Sequence, residues 1–130
     1  MKNKKGFTLI ELLIVISIIG VLALMGLRVY GNQQEKAKNA IVKANVGTAQ
    51  TLIQAELADR NINTRDEAVD IAKAAGLHNP FNGVAMNIEG WFPESADVPG
   101  EIQITLSTGT FSIQGYGADG LLPDILTAKR

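Results

Sequence analysis

Hydrophobic and polar positions divide this chain into three stretches with different periods. From Phe7 to Leu27, 21 residues carry one charge, Glu11, and are otherwise almost wholly apolar. A helix over them is about 32 Å long, enough for a bilayer core of about 30 Å. From Gln33 to Asp59 no proline intervenes, and alanine, glutamine, lysine and glutamate favour helix. Two apolar stripes run through this second stretch at spacings of three and four. One is Ala37, Ile41, Ala44, Thr48, Leu52 and Ala55; the other is Val42, Val46, Ala49, Ile53 and Leu57. A helix wetted on one side needs a single stripe. Two stripes fit a helix that packs on its own domain and on neighbours, or one sunk in its own core. If helix is unbroken from Phe7 to Asp59, it is about 80 Å long.

Beyond Asn61–Asn63, which reads as a turn, Thr64 and Glu67 have the spacing of a capping box. Ala68, Val69, Ile71, Ala72 and Ala75 then give a short helix its apolar side, with Gly76 as its stop. Asn79-Pro80 and Asn82-Gly83 are turn signals. After them the period changes to two. Val84–Ile88 is expected to be a strand, and Glu101–Leu106 and Thr110–Gln114 alternate as half-buried strands do. Ser107-Thr108-Gly109 joins the last two into a hairpin. Gly115 to Arg130, with Gly117, Asp119-Gly120 and Pro123, reads as an irregular segment over the sheet, docked in part by Leu121, Leu122, Ile125 and Leu126. The fold class is α+β: a long N-terminal helix with a small antiparallel sheet on its C-terminal half.

Composition narrows the chemistry. The 130 residues contain no cysteine, which removes disulfides, thiolate metal sites and thiol nucleophiles. Net charge is −1, but Lys2, Lys4 and Lys5 crowd the start; without them 9 Lys+Arg face 13 Asp+Glu, giving −4. An acidic body gives no support to broad nucleic-acid binding, which needs clustered Lys and Arg. His78 is the single histidine and reads as a loop residue. No phosphate-binding glycine loop or nucleophile elbow is present. Asp119 and Asp124 fall short of the 6–8 oxygen ligands that calcium takes. No catalytic residue, cofactor or metal is expected. Trp91 and Phe92 either pack on the sheet edge or helix, or contact a carbohydrate or receptor. Glu35, Lys36, Lys38 and Lys43 read as a solvated face, with bridging between subunits as the alternative.

The apolar stretch admits three readings: a cleaved secretory signal, a plain anchor, or a leader of another kind. The lysines precede it, so the positive-inside rule puts the N-terminus in the cytoplasm and the rest beyond Arg28 outside. A secretory signal has a shorter apolar run and a small-residue cleavage site after it. A plain anchor has no need of a carboxylate one turn inside its start, where insertion costs about 2.5–3.5 kcal/mol. The string Lys4-Lys5-Gly6-Phe7-Thr8-Leu9-Ile10-Glu11, continued by Leu12 to Ile16, closely resembles the type III signal of type IV prepilins and pseudopilins.

That resemblance implies a pilin fold and specific site residues. A membrane peptidase would cut between Gly6 and Phe7 and methylate the new amine of Phe7. The Glu11 carboxylate would pair with a neighbouring subunit's terminal amine during assembly, neutralising two charges in an apolar core. Residues 1–6 would be a cleaved leader, 7–31 a membrane and filament-core helix, and 32–130 the rest of the helix with a globular head. The chain departs from many pilins in having no proline before Pro80. Gly20, Gly26 and Gly31 either loosen the helix instead, at about 1 kcal/mol each relative to alanine, or allow close helix packing.

The function implied is that of a structural subunit, a major pilin, and no enzyme. It would form surface filaments for adhesion, aggregation, twitching motility or DNA uptake. Its partners would be further copies of itself, the prepilin peptidase and methylase, and an inner-membrane assembly platform with cytoplasmic ATPases. The precursor would sit in the inner membrane and the product on the cell surface. A pseudopilin of type II secretion or competence is the first alternative. A membrane-anchored enzyme or binding protein is the second.

Overall fold

The computed structural model describes residues 4–130, so Met1–Asn3, with the Lys2 of the basic cluster and half of the expected leader, lie outside the described residues. The elements in chain order are helix α1 (Leu9–Asp59), helix α2 (Arg65–Ala74), a 3₁₀ turn (Glu89–Trp91), and strands β1 (Ile102–Ser107), β2 (Thr110–Tyr116) and β3 (Leu121–Lys129). The chain divides into two compact units, one ending at Gln34 and one spanning Glu35–Arg130, and α1 contributes residues to both. The expected α+β architecture is present: a long N-terminal helix and an antiparallel sheet of order β1-β2-β3.

From Leu9 to Leu27 α1 is apolar all round apart from Glu11 and Ser17, and each residue from Lys4 to Gln34 is exposed. In the second unit one stripe is buried, composed of Val42, Val46, Ala49, Ile53 and Leu57. It forms one core with Ile102 and Ile104 of β1, Phe111 and Ile113 of β2, Ala128 of β3, and Ala68, Val69 and Ala72 of α2. Burying each large member contributes about 1.5–3 kcal/mol. Gly115 marks a close approach of helix and sheet: a Cβ there would stand 2.4 Å from a Val42 methyl and 3.0 Å from one of Val46.

The hairpin forms as its pattern predicts, with Ser107 paired to Thr110 across Thr108 (φ +49°) and Gly109 (φ +76°). Two positive φ values in a two-residue loop match the right-handed twist of the strands. Thr64 caps α2, with the Thr64 hydroxyl and the Glu67 carboxylate each accepting the other residue's backbone N–H. Gly76 follows the helix end at φ +70°.

Two expectations fail. Val84–Ile88 is no strand; it contributes a single bridge, His78 to Ala85. Among the described residues its pairing partner is the three-residue stretch Leu77–Asn79, hemmed between Gly76 and Pro80, which has no N–H to extend a ladder. The loop is instead held by the buried Asn79, whose amide donates to Pro99 O (2.9 Å) and accepts from Phe81 N (2.8 Å). The second failure is the tail, which forms β3 rather than irregular cover. Register pairs Gln114 with Ile125 and Tyr116 with Leu121, leaving Leu122, Pro123 and Asp124 opposite Gly115 alone. This bulge places Pro123 where no ladder hydrogen bond is required, and it hides the two-residue period.

Side chains close parts of both sheet edges. On β3, Gln50 donates to Thr127 O (3.0 Å), and Gln54 donates to Lys129 O (2.8 Å) while accepting from Lys129 N (3.1 Å). On β1, the Arg65 guanidinium donates to Ile104 O (2.8 Å) and to Phe92 O, and Ile104 N donates to Pro93 O (3.1 Å).

Candidate processing and assembly segment

Lys4 to Thr8 is non-helical, and α1 begins at Leu9. The boundary has a local cause. Thr8 O accepts the first helical hydrogen bond from Leu12 N (3.2 Å), its hydroxyl accepts from Glu11 N (3.3 Å), and its N–H donates to the Glu11 carboxylate (3.1 Å). This is a reciprocal capping box with Thr8 at the N-cap and Glu11 three residues on. Glu11 also places its negative charge in the first turn, where the helix dipole favours it. Gly6 has open space around it, and Phe7 is 88% exposed.

The segment that follows is long and apolar enough to cross a membrane, with a peak mean hydropathy of 2.7 and none of that window buried. Ser17 returns its hydroxyl to Leu13 O (2.7 Å), so it presents no unpaired donor to lipid. The helix passes without a break through Gly20, Gly26 and Gly31, each with nothing within 4 Å of a Cβ position.

In the second unit the stripe of Ala37, Ile41, Ala44, Thr48, Leu52 and Ala55 faces outward. Ile41 is 48% and Leu52 36% exposed. From Ala44 to Ala55 no residue is charged. Thr48 and Thr51 donate their hydroxyls to Ala44 O (3.0 Å) and Gly47 O (2.8 Å). A face whose hydroxyls are satisfied by its own helix loses little when water is removed from it.

The remaining candidates resolve simply. Phe92 is fully buried and Trp91 packs half-buried against the core, which favours the packing reading for both. His78 is exposed, with Nδ1 3.2 Å from Gly76 O. Asp124 forms an ion pair with Lys43, and the Lys38 ammonium lies 5.5 Å from the centre of the Phe81 ring. Among the described residues no group of three or more His, Asp or Glu is placed to hold a metal.

Sequence reasoning gave Thr8 no role of its own. Its signal was available, because Thr8-Leu9-Ile10-Glu11 repeats the Thr-x-x-Glu spacing of Thr64–Glu67.

A family profile described as "Prokaryotic N-terminal methylation motif" matches residues 1–27. Fimbrial protein EcpB of Eikenella corrodens is 43% identical over 87 residues, 67% of this chain and 55% of that protein. The type IV major alpha-pilin of Moraxella bovis is 42% identical over 57 residues, 44% of this chain and 36% of that protein. Fimbrial protein EcpC of Eikenella corrodens is 31% identical over 126 residues, covering 90% of this chain and 78% of that protein. The chain belongs to the type IV pilin family. This pilin spans between 36% and 62% of the length of several of the relatives it matches. No solved structure matches it.

Proposed function

We propose that this pilin is the major structural subunit of a bacterial type IV pilus. In this reading residues 1–6 are a leader removed between Gly6 and Phe7, and Phe7 becomes the N-methylated terminus. Residues 7–31 anchor the precursor in the inner membrane and then form the filament core, with residues 32–130 completing the helix and the head. The observation that carries the proposal is an apolar helix left entirely uncovered, with a carboxylate in its first turn. Outside a bilayer such a surface needs cover, and copies of the same helix supply it. The outward stripe from Ala37 to Ala55 is a second surface for that packing. Glu11 supplies the charge that a neighbour's new Phe7 amine neutralises. Gly20, Gly26 and Gly31 are the positions where the core helix bends or meets a neighbour closely. The other partners are the prepilin peptidase and methylase and the membrane assembly platform with its cytoplasmic ATPases. Adhesion, aggregation, motility and DNA uptake are the roles such a fibre supports.

Electron cryo-microscopy of sheared surface fibres, with intact mass of their subunit, tests this. Fibres built from this chain and beginning at N-methyl-Phe7 are the expected result. Its confinement to the cell envelope, with surface fibres built from another chain, would overturn the assignment. Glu11→Ala should insert in the membrane normally and yield few fibres, and a normal yield would remove the assembly role of Glu11.

A further inference from the structure

The position of the Thr8–Glu11 box relative to the Gly6–Phe7 bond carries an inference beyond assembly. The box lies immediately after that bond, and Lys4–Thr8 are non-helical up to it. We infer that Thr8 is a positioning residue for leader removal: its capping box starts the helix at Leu9 and so holds the Gly6–Phe7 peptide extended and open to the peptidase. This inference rests on the proposed cut between Gly6 and Phe7 and concerns what makes that bond cleavable.

The physical argument concerns where a helix ends near lipid. The first turn of any helix has N–H groups without intrahelical partners. Close to an apolar phase, water does not satisfy them cheaply, so they must find protein acceptors or move outward to water. Here the Thr8 hydroxyl takes the Glu11 N–H and the Glu11 carboxylate takes the Thr8 N–H, which ends the helix at Leu9. Without the hydroxyl, the chain satisfies the same groups by winding upstream until its free N–H groups reach water beside Lys4 and Lys5. That winding draws Gly6 and Phe7 into a helical turn. A peptidase needs the carbonyl carbon and flanking backbone groups free, and helical hydrogen bonds occupy them. Hydrolysis consumes one water and leaves a carboxylate on Gly6 and an ammonium on Phe7. Thr8 takes part in none of those bond changes and acts through backbone conformation alone. Glu11 then serves two successive partners, first the Thr8 N–H and later a terminal amine that exists only after the cut.

The test ranks side chains at position 8 by capping strength against shape. Asn caps a helix at least as well as Thr but differs in shape, whereas Val matches the shape of Thr and cannot cap. Full-length chains are expressed with the prepilin peptidase in membranes, and the cleaved fraction is followed by intact mass after a pulse. Thr8→Asn should be cut at the native rate or faster, and Thr8→Val about two- to thirty-fold more slowly, the span that loss of one cap predicts. Native-rate cutting of Thr8→Val, or slow cutting of Thr8→Asn, would overturn the proposal and point to direct recognition of the threonine shape. Backbone NMR shifts of Gly6 and Phe7 in detergent micelles give an independent reading. They should be non-helical in the native chain and in Thr8→Asn, and helical in Thr8→Val; a helix still starting at Leu9 in Thr8→Val would also sink the idea. If the native chain itself is not cut after Gly6, the fault lies with the proposed processing site, and the shift comparison still judges the capping box.

Discussion

Within the second unit, Val42, Val46, Ala49, Ile53 and Leu57 of α1 are buried, whereas Ile41, Ala44, Thr48, Leu52 and Ala55, a residue or two away round the same helix, lie on its outer side. Four of the five inward residues, Val42, Val46, Ile53 and Leu57, are bulky and branched, and the stripe shares one core with Ile102, Ile104, Phe111 and Ile113. The outward stripe is mostly small, uncharged from Ala44 onward, and has its threonine hydroxyls tied to its own backbone. One helix thus presents an inner face that holds the core and an outer face of mostly small, uncharged residues. Hydrophobic period alone does not tell them apart; residue size and hydroxyl partners do.

The adjacent pair Ile53 and Leu52 gives the sharpest contrast, and Trp91, the only tryptophan and half-buried against the core, reports on unfolding. Ile53→Ala should destabilise the second unit by about 2–5 kcal/mol, read as a lower midpoint of urea unfolding for the full chain in detergent micelles. Gly115→Ala should cost about 1–3 kcal/mol in the same assay, because the added methyl meets Val42 at a distance that no packed carbon tolerates. Leu52→Ala should change stability by no more than about 0.5 kcal/mol in that assay while reducing fibre yield. Equal destabilisation by the Ile53 and Leu52 changes would erase the distinction between the two faces.

The smallest effect concerns pH. The backbone N–H groups of Asn63 and Thr64, with the Thr64 hydroxyl, hold the Glu67 carboxyl below its ordinary value of 4.5. A carboxyl with a depressed folded value stabilises the fold fully above its unfolded value and loses that contribution as pH falls through the folded one. Stability should therefore be flat near neutrality with respect to this group and decline below pH 4.5. Thr64→Ala, compared with the native chain across that range, should show a shallower decline.

Where a local rule and a tertiary partner agreed, the sequence was readable. The Thr64–Glu67 cap, the stop at Gly76 and the Ser107–Thr110 hairpin all depend on residues within a few positions of one another. The buried stripe of α1 was legible as a period, and only packing showed which of the two stripes turns inward. Val84–Ile88 misled because alternation describes a strand's faces and says nothing of whether a partner is long enough to pair. β3 was missed because its bulge at Leu122–Asp124 breaks the period and its proline argues against a strand. At the N-terminus the motif was plain, and the Thr8–Glu11 spacing of a capping box lay within it, borne by the hydrogen bonds that join the Thr8 hydroxyl and N–H to Glu11.

Gln50, Gln54 and Arg65 bear on how this pilin behaves when crowded. They occupy main-chain groups through which one sheet would otherwise recruit the rim of another. These positions therefore offer no template for edge-to-edge ribbon growth when the chain is concentrated.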